Sequence, residues 1–124
     1  MAYILVMLGG AIGSAARFAV GRIAMGLMGP NWPWGTLAVN LIGGLAMGLL
    51  AGSLARIGDG GEHVRLLIGV GALGGFTTFS AFTLELVTML ERGDLFIGFG
   101  YALLSVVGAA VALFGGLLMM RAMP

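Results

Sequence analysis

The sequence predicts an all-α membrane protein of four transmembrane helices, and three observations predict it. Hydrophobic residues make up 60% of the 124-residue chain and charged residues 9%, with a mean hydropathy of +1.10. There is no Lys, and six Arg with five acids are too few to coat a soluble core in a polar shell. Four long stretches are poor in charge, each near the roughly 20 residues needed to cross about 30 Å of hydrocarbon. The chain reads as a single four-helix membrane domain over residues 1–124, with spans at 2–28, 34–55, 65–90 and 95–120.

Span one is free of charge from Ala2 to Ala16 and continues past Arg17 and Arg22. Its start, Met1-Ala-Tyr-Ile-Leu-Val, lacks the basic region of a secretory signal, so it is expected to be retained. Short connections rich in Gly and Pro separate the spans: Gly29-Pro30-Asn31-Trp32-Pro33, Gly58-Asp59-Gly60-Gly61 and Glu91-Arg92-Gly93-Asp94. Trp32 and Trp34, at the start of span two, read as anchors at the headgroup level. Gly recurs four apart at Gly9 and Gly13, at Gly44, Gly48 and Gly52, and at Gly71 and Gly75, a spacing that lets helix backbones approach closely in lipid. Gly69-Val-Gly71-Ala-Leu-Gly74 matches the dinucleotide fingerprint in letters, but it lies inside a span rather than between a strand and a helix.

The same inventory argues against several functions. A net charge of +1 without a basic stripe does not suit nucleic acid. With no Cys and a single His63, there is no thiolate metal site and no Cys nucleophile. Neither a P-loop nor paired catalytic carboxylates are present, so no enzyme activity is expected, and no soluble protein partner is evident.

Span three carries the unusual feature. Gly74-Gly75-Phe76-Thr77-Thr78-Phe79-Ser80-Ala81-Phe82-Thr83 sets two Gly and four hydroxyls in an apolar run, near the expected midplane. A broken helix at that depth is tolerated only where it is buried in protein or lines a cavity, and its freed carbonyls can hold a cation. The alternative is an unbroken helix whose hydroxyls bond back to preceding carbonyls. Phe79 and Phe82 lie three apart, and their positive ring edges suit a small anion, although core packing would also explain them. Thr36 with Asn40, and Tyr101 with Ser105, each four apart, form stripes of neutral donors or simple interhelical bonds. Arg17 lies too deep for its charge, so it snorkels, pairs or faces a watery vestibule; Glu85 is a candidate partner.

Both termini and the second connection share one side, with Arg56, Arg65 and Arg121, while Arg22, Arg92 and Arg17 fall to the other. So small a bias in Arg predicts insertion in both directions and an antiparallel homodimer. A monomer or a parallel oligomer is the alternative.

Together, Gly9-Gly-x-x-Gly13-x-x-x-Arg17, Gly35-Thr-Leu-x-x-Asn40-x-x-Gly43 and Gly74-Gly-Phe-Thr-Thr-Phe-Ser80-x-Phe82 resemble the Fluc (CrcB) fluoride channels in order and spacing. The resemblance implies a fluoride-selective channel of the bacterial plasma membrane, a dual-topology homodimer with two pores that lowers cytoplasmic fluoride. It implies a structural sodium ion (Na+) on the main-chain carbonyls of Gly74 and Thr77. Asn40, Phe79 and Phe82 would line the pores, Tyr101 and Ser105 would continue the polar track, and Arg17, Thr36 and Glu85 would belong to the vestibules. Ala81 and Ala109 depart from the family pattern, which more often has Thr and Ser there. Two rivals remain: a proton-coupled exporter, which would need Glu85 as its proton carrier, and a structural membrane subunit that conducts nothing.

Overall fold

Away from water, backbone N–H and C=O groups must be satisfied within their own segment, and a helix does this without a neighbour. The computed structural model, which describes residues 1–124, is accordingly helical almost throughout and contains no strand. Helix α1 spans Ala2–Met28 and α2 spans Trp34–Ile57. A 3-10 turn at Gly58–Gly61 leads into α3, Glu62–Val64, which passes directly into a π-helical segment at Arg65–Leu73 and then α4, Gly74–Phe76. After three non-helical residues, α5 runs Ser80–Glu91 and α6 runs Leu95–Ala122. The turn glycines Gly29, Gly58 and Gly93 have φ of 79°, 75° and 85°, a backbone region that a side chain would strain.

Three stretches are long and apolar enough to cross a membrane: Ala2–Met28, Trp34–Glu91 and Leu95–Ala122. The middle one, of 58 residues, doubles back at Gly58–Gly61. Gly61 sits against Leu54, Gly69 against Leu50 and Thr77 against Gly43, so the path after the turn runs antiparallel to α2.

The glycine spacing is realised as close backbone contact within the chain. A Cβ at Gly9 would fall 2.0 Å from the Leu67 carbonyl oxygen, and one at Gly48 would fall 2.0 Å from that of Leu113. Thus α1 lies along the π-helical segment and α2 lies along α6, each pair running parallel. Only 16 of 124 residues are buried within the chain. The core is a small cluster of Leu37, Phe82, Met89 and Tyr101, so the helices owe most of their cover to whatever surrounds the chain. At the α3 end, Arg65 donates to the Glu62 carboxylate at 2.8 and 3.0 Å and holds that carboxyl below its usual range. Both groups are exposed, so the pair adds little stability.

The two tryptophans part company. Trp34 is 41% exposed, as an anchor would be, whereas Trp32 turns inward and packs on the core cluster.

Candidate functional site

The site is built on the interruption at Thr77–Phe79, inside the Gly74–Thr83 stretch singled out in the sequence. Thr77 leaves helical geometry with φ −84° and ψ 162°. The first consequence is a set of displaced backbone hydrogen bonds, whose replacements can be followed one by one.

The Thr78 N–H, which in a continuous helix would bond to Gly74, donates instead to Asn40 Oδ1 at 2.9 Å. The Ala81 N–H, which would have served Thr77, donates to Thr78 Oγ1 at 3.2 Å. Thr78 thereby caps the start of α5 in the manner of a Ser or Thr ahead of a first turn. The carbonyls of Gly74, Phe76 and Thr77 are therefore left without their α-helical donors. Two neighbours are compensated: Asn40 Nδ2 donates to the Thr78 carbonyl and Arg17 Nε to the Gly75 carbonyl, each at 2.9 Å.

The hydroxyls divide between the two sequence-based alternatives. Thr77 Oγ1 donates back to the Leu73 carbonyl at 2.9 Å, and Thr83 Oγ1 to those of Phe79 and Ser80. These two serve the backbone even though the helix is broken.

A second polar centre lies nearer the Trp32 connection. The Glu85 carboxylate accepts from Thr36 Oγ1 at 2.5 Å and from the Tyr101 hydroxyl at 3.1 Å. The suggested Arg17–Glu85 pair does not form. Arg17 is committed to the Gly75 carbonyl, and two hydroxyls occupy Glu85; the chain's ion pairs are Arg65–Glu62 and Arg92–Asp94.

Between α2, the break and α6 lies a cleft of about 490 Å³, bordered by Asn40, Thr78, Phe79, Phe82, Ser105 and Ala109 among others. The Phe79 and Phe82 rings stand 5.6 Å apart, tilted by 52°. They differ in surroundings: Phe82 is buried against Tyr101 at 5.2 Å, while Phe79 is 74% exposed. Ser105 Oγ is buried without a hydrogen-bond partner. Buried polar groups are nearly always paired, so this hydroxyl on the cleft wall is an exception among the chain's buried side chains. One turn further, Ala109 supplies no hydroxyl.

Asn40, Thr77, Phe79, Phe82 and Ser105, all singled out in the sequence, border the one cleft, and Tyr101 packs on Phe82 beside it, but sequence reasoning missed Thr78 as a helix cap. A hydroxyl just ahead of a resumed apolar helical run was the available signal. It also missed the π-helical segment beside α1, for which the sequence has no evident marker.

The chain is thus a helical membrane protein with neutral donors and aromatic rings gathered along a cleft at a broken helix. Residues 4–117 match the family described as CrcB-like protein, Camphor Resistance (CrcB), and the chain belongs to that family. Relatives named fluoride-specific ion channel FluC include one from Mesorhizobium japonicum, 51% identical over 98% of this chain and 97% of its own length. Another, from Phenylobacterium zucineum, is 54% identical over 97% and 95%.

Proposed function

We propose that the chain is a passive fluoride channel of the bacterial plasma membrane that lets cytoplasmic fluoride escape. The observation that carries this reading is the unpartnered Ser105 hydroxyl beside Asn40 and the two Phe rings, joined to the relatives' shared description as fluoride-specific channels. Fluoride holds its hydration water tightly, so a pathway must replace those contacts stepwise with donors that are each weak enough to release it. Ring edges of Phe79 and Phe82, the remaining Asn40 N–H and the Ser105 hydroxyl are such donors, and none is charged. Tyr101 would continue the track toward Thr36 and Glu85, with Arg17 drawing anions to the vestibule.

The complete pathway needs a second copy. Four crossings with balanced Arg at their ends suit an antiparallel homodimer in lipid, and the exposed Phe79 and Gly74 would lie at its centre. Each chain would lend its Phe residues to the two pores. A sodium ion would take the same place, on the Gly74 and Thr77 carbonyls, whose helical donors serve Asn40 and Thr78 instead. Bound there by main-chain oxygens of both copies, it would hold the two breaks together as a structural cation.

The decisive experiment is efflux from liposomes containing the purified dimer, with chloride as the control anion. A channel moves charge, so fluoride should leave only when a potassium ionophore balances the current. Sodium-free medium should weaken the dimer. Ionophore-supported fluoride efflux that is accompanied by proton uptake into the liposomes would favour the proton-coupled exporter, and a lack of efflux would favour the structural subunit.

Ala109 offers a graded test, since it lies four residues beyond Ser105 on the cleft side of α6. Ala109→Ser is expected to raise fluoride flux about two- to fivefold by adding one donor worth about 0.5–1 kcal/mol. Flux at or below the wild-type rate would show that the path leaves α6 before that turn.

A further inference from the structure

The connection from Gly29 to Pro33 is more constrained than a surface turn needs to be. Pro33, at φ −81° and ψ 63°, forms an inverse γ-turn closed by the Trp34 N–H on the Trp32 carbonyl at 2.8 Å. Pro30 and Pro33 fix their own φ, and the Pro33 carbonyl accepts from Leu37 in the first turn of α2. The backbone on either side of Trp32 is thus held, and its indole is aimed inward.

The indole meets the Tyr101 ring edge to face, with centroids 5.2 Å apart and planes at 73°. Phe82 contacts the same ring at 5.2 Å. Tyr101 is fully buried and gives its hydroxyl to Glu85, whose other oxygen takes Thr36. A second cleft, of about 420 Å³, is bordered by Trp32, Thr36, Glu85, Thr88, Met89 and Arg92, but not by Tyr101. The indole therefore stands between that cleft and the tyrosine ring.

We infer that Trp32 is a positioning residue for the anion path: its ring fixes Tyr101 in the orientation that delivers the hydroxyl to the Glu85–Thr36 end of the track. This deepens, and rests on, the channel reading above. Without the indole, the second cleft opens onto the Tyr101 ring, the ring gains freedom, and its donor no longer meets an arriving anion at a fixed place. Trp34 tilts against the indole at 4.9 Å, yet it is exposed and makes no ring contact with Tyr101, so it lacks this role.

The test compares fluoride and chloride efflux from liposomes carrying dimers of Trp32→Ala, Trp32→Phe, Trp34→Ala, Tyr101→Phe and the Trp32→Ala/Tyr101→Phe double variant. Trp32→Ala should lose about three- to tenfold in fluoride-over-chloride discrimination, the scale of one aromatic pair. Trp32→Phe should restore discrimination to within about twofold, and Trp34→Ala should match wild type. The double variant should discriminate no worse than Tyr101→Phe, because the hydroxyl that Trp32 positions is already gone. Should Trp32→Ala fail to give a dimer, Trp32→Leu, which keeps bulk without the ring, carries the same expectation. Wild-type discrimination in Trp32→Ala or its substitute, or independent losses in the double variant, would overturn the positioning role alone. A wild-type protein that passes no fluoride would overturn the channel reading and this role with it.

Discussion

Asn40→Asp is expected to reduce fluoride efflux by about a hundredfold or more while leaving the helices folded. The Asn40 amide is used in both senses at once, accepting from the Thr78 N–H and donating to the Thr78 carbonyl. Ionised Asp keeps the first bond but has no donor for the second. It also sets a negative oxygen against the Thr78 carbonyl, so the broken helix loses one tie and gains a repulsion. Leaving one part-buried carbonyl unsatisfied costs about 1–3 kcal/mol, and repulsion adds to it, so the expected loss reaches about two decades of rate or more. The damage is local, because Asn40 is not part of the Leu37, Phe82, Met89 and Tyr101 core. Circular dichroism and dimer yield should match wild type while efflux falls. A variant that still conducts at the wild-type rate would mean that the tie to Thr78 is dispensable for the pathway.

How legible the site was depended on whether a residue announced a problem or supplied a solution. The Gly74-Gly75 pair and its hydroxyl cluster stand out in an apolar run, so the place where a helix could break was legible, while an unbroken helix stayed open as the alternative. Arg17 was legible as a charge lying too deep. Its acceptor, the Gly75 carbonyl, is freed only by the break and could not be named from spacing alone. Pairing Arg17 with Glu85 followed from opposite charge, but Thr36 and Tyr101 reach that carboxylate first, and neither carries a charge to advertise the contact. The two tryptophans looked equivalent in a connection. What separates them is the turn at Pro33, a backbone property that composition does not carry. The glycine stripes gave the right faces, while the change from α to π geometry, where α1 packs closely at Gly9 and Gly13, has no evident marker in the sequence.

That packing leads to the second large effect, since Gly13→Ala should unseat the site from outside it. A Cβ at Gly13 would lie 2.0 Å from the Ala72 carbonyl oxygen and 2.9 Å from the Phe76 nitrogen. Both are main-chain atoms, so no side chain can turn aside and α1 itself must shift. The opposing wall has no slack either: a Cβ at Gly75 would meet the Gly10 carbonyl oxygen at 2.7 Å. One turn along α1 from Gly13 is Arg17, whose 2.9 Å bond to the Gly75 carbonyl cannot survive a shift of an ångström or so. Overpacking of this kind costs about 1–3 kcal/mol, and here it also leaves Gly75 without its substitute donor. Efflux should therefore fall further than stability does, by more than tenfold against a modest drop in the melting temperature of the detergent-solubilised protein. Gly115→Ala is the matched control, because a Cβ there meets nothing within 4 Å. If Gly13→Ala equalled that control in both melting and efflux, close approach of α1 would not be what holds the broken helix in its conducting shape.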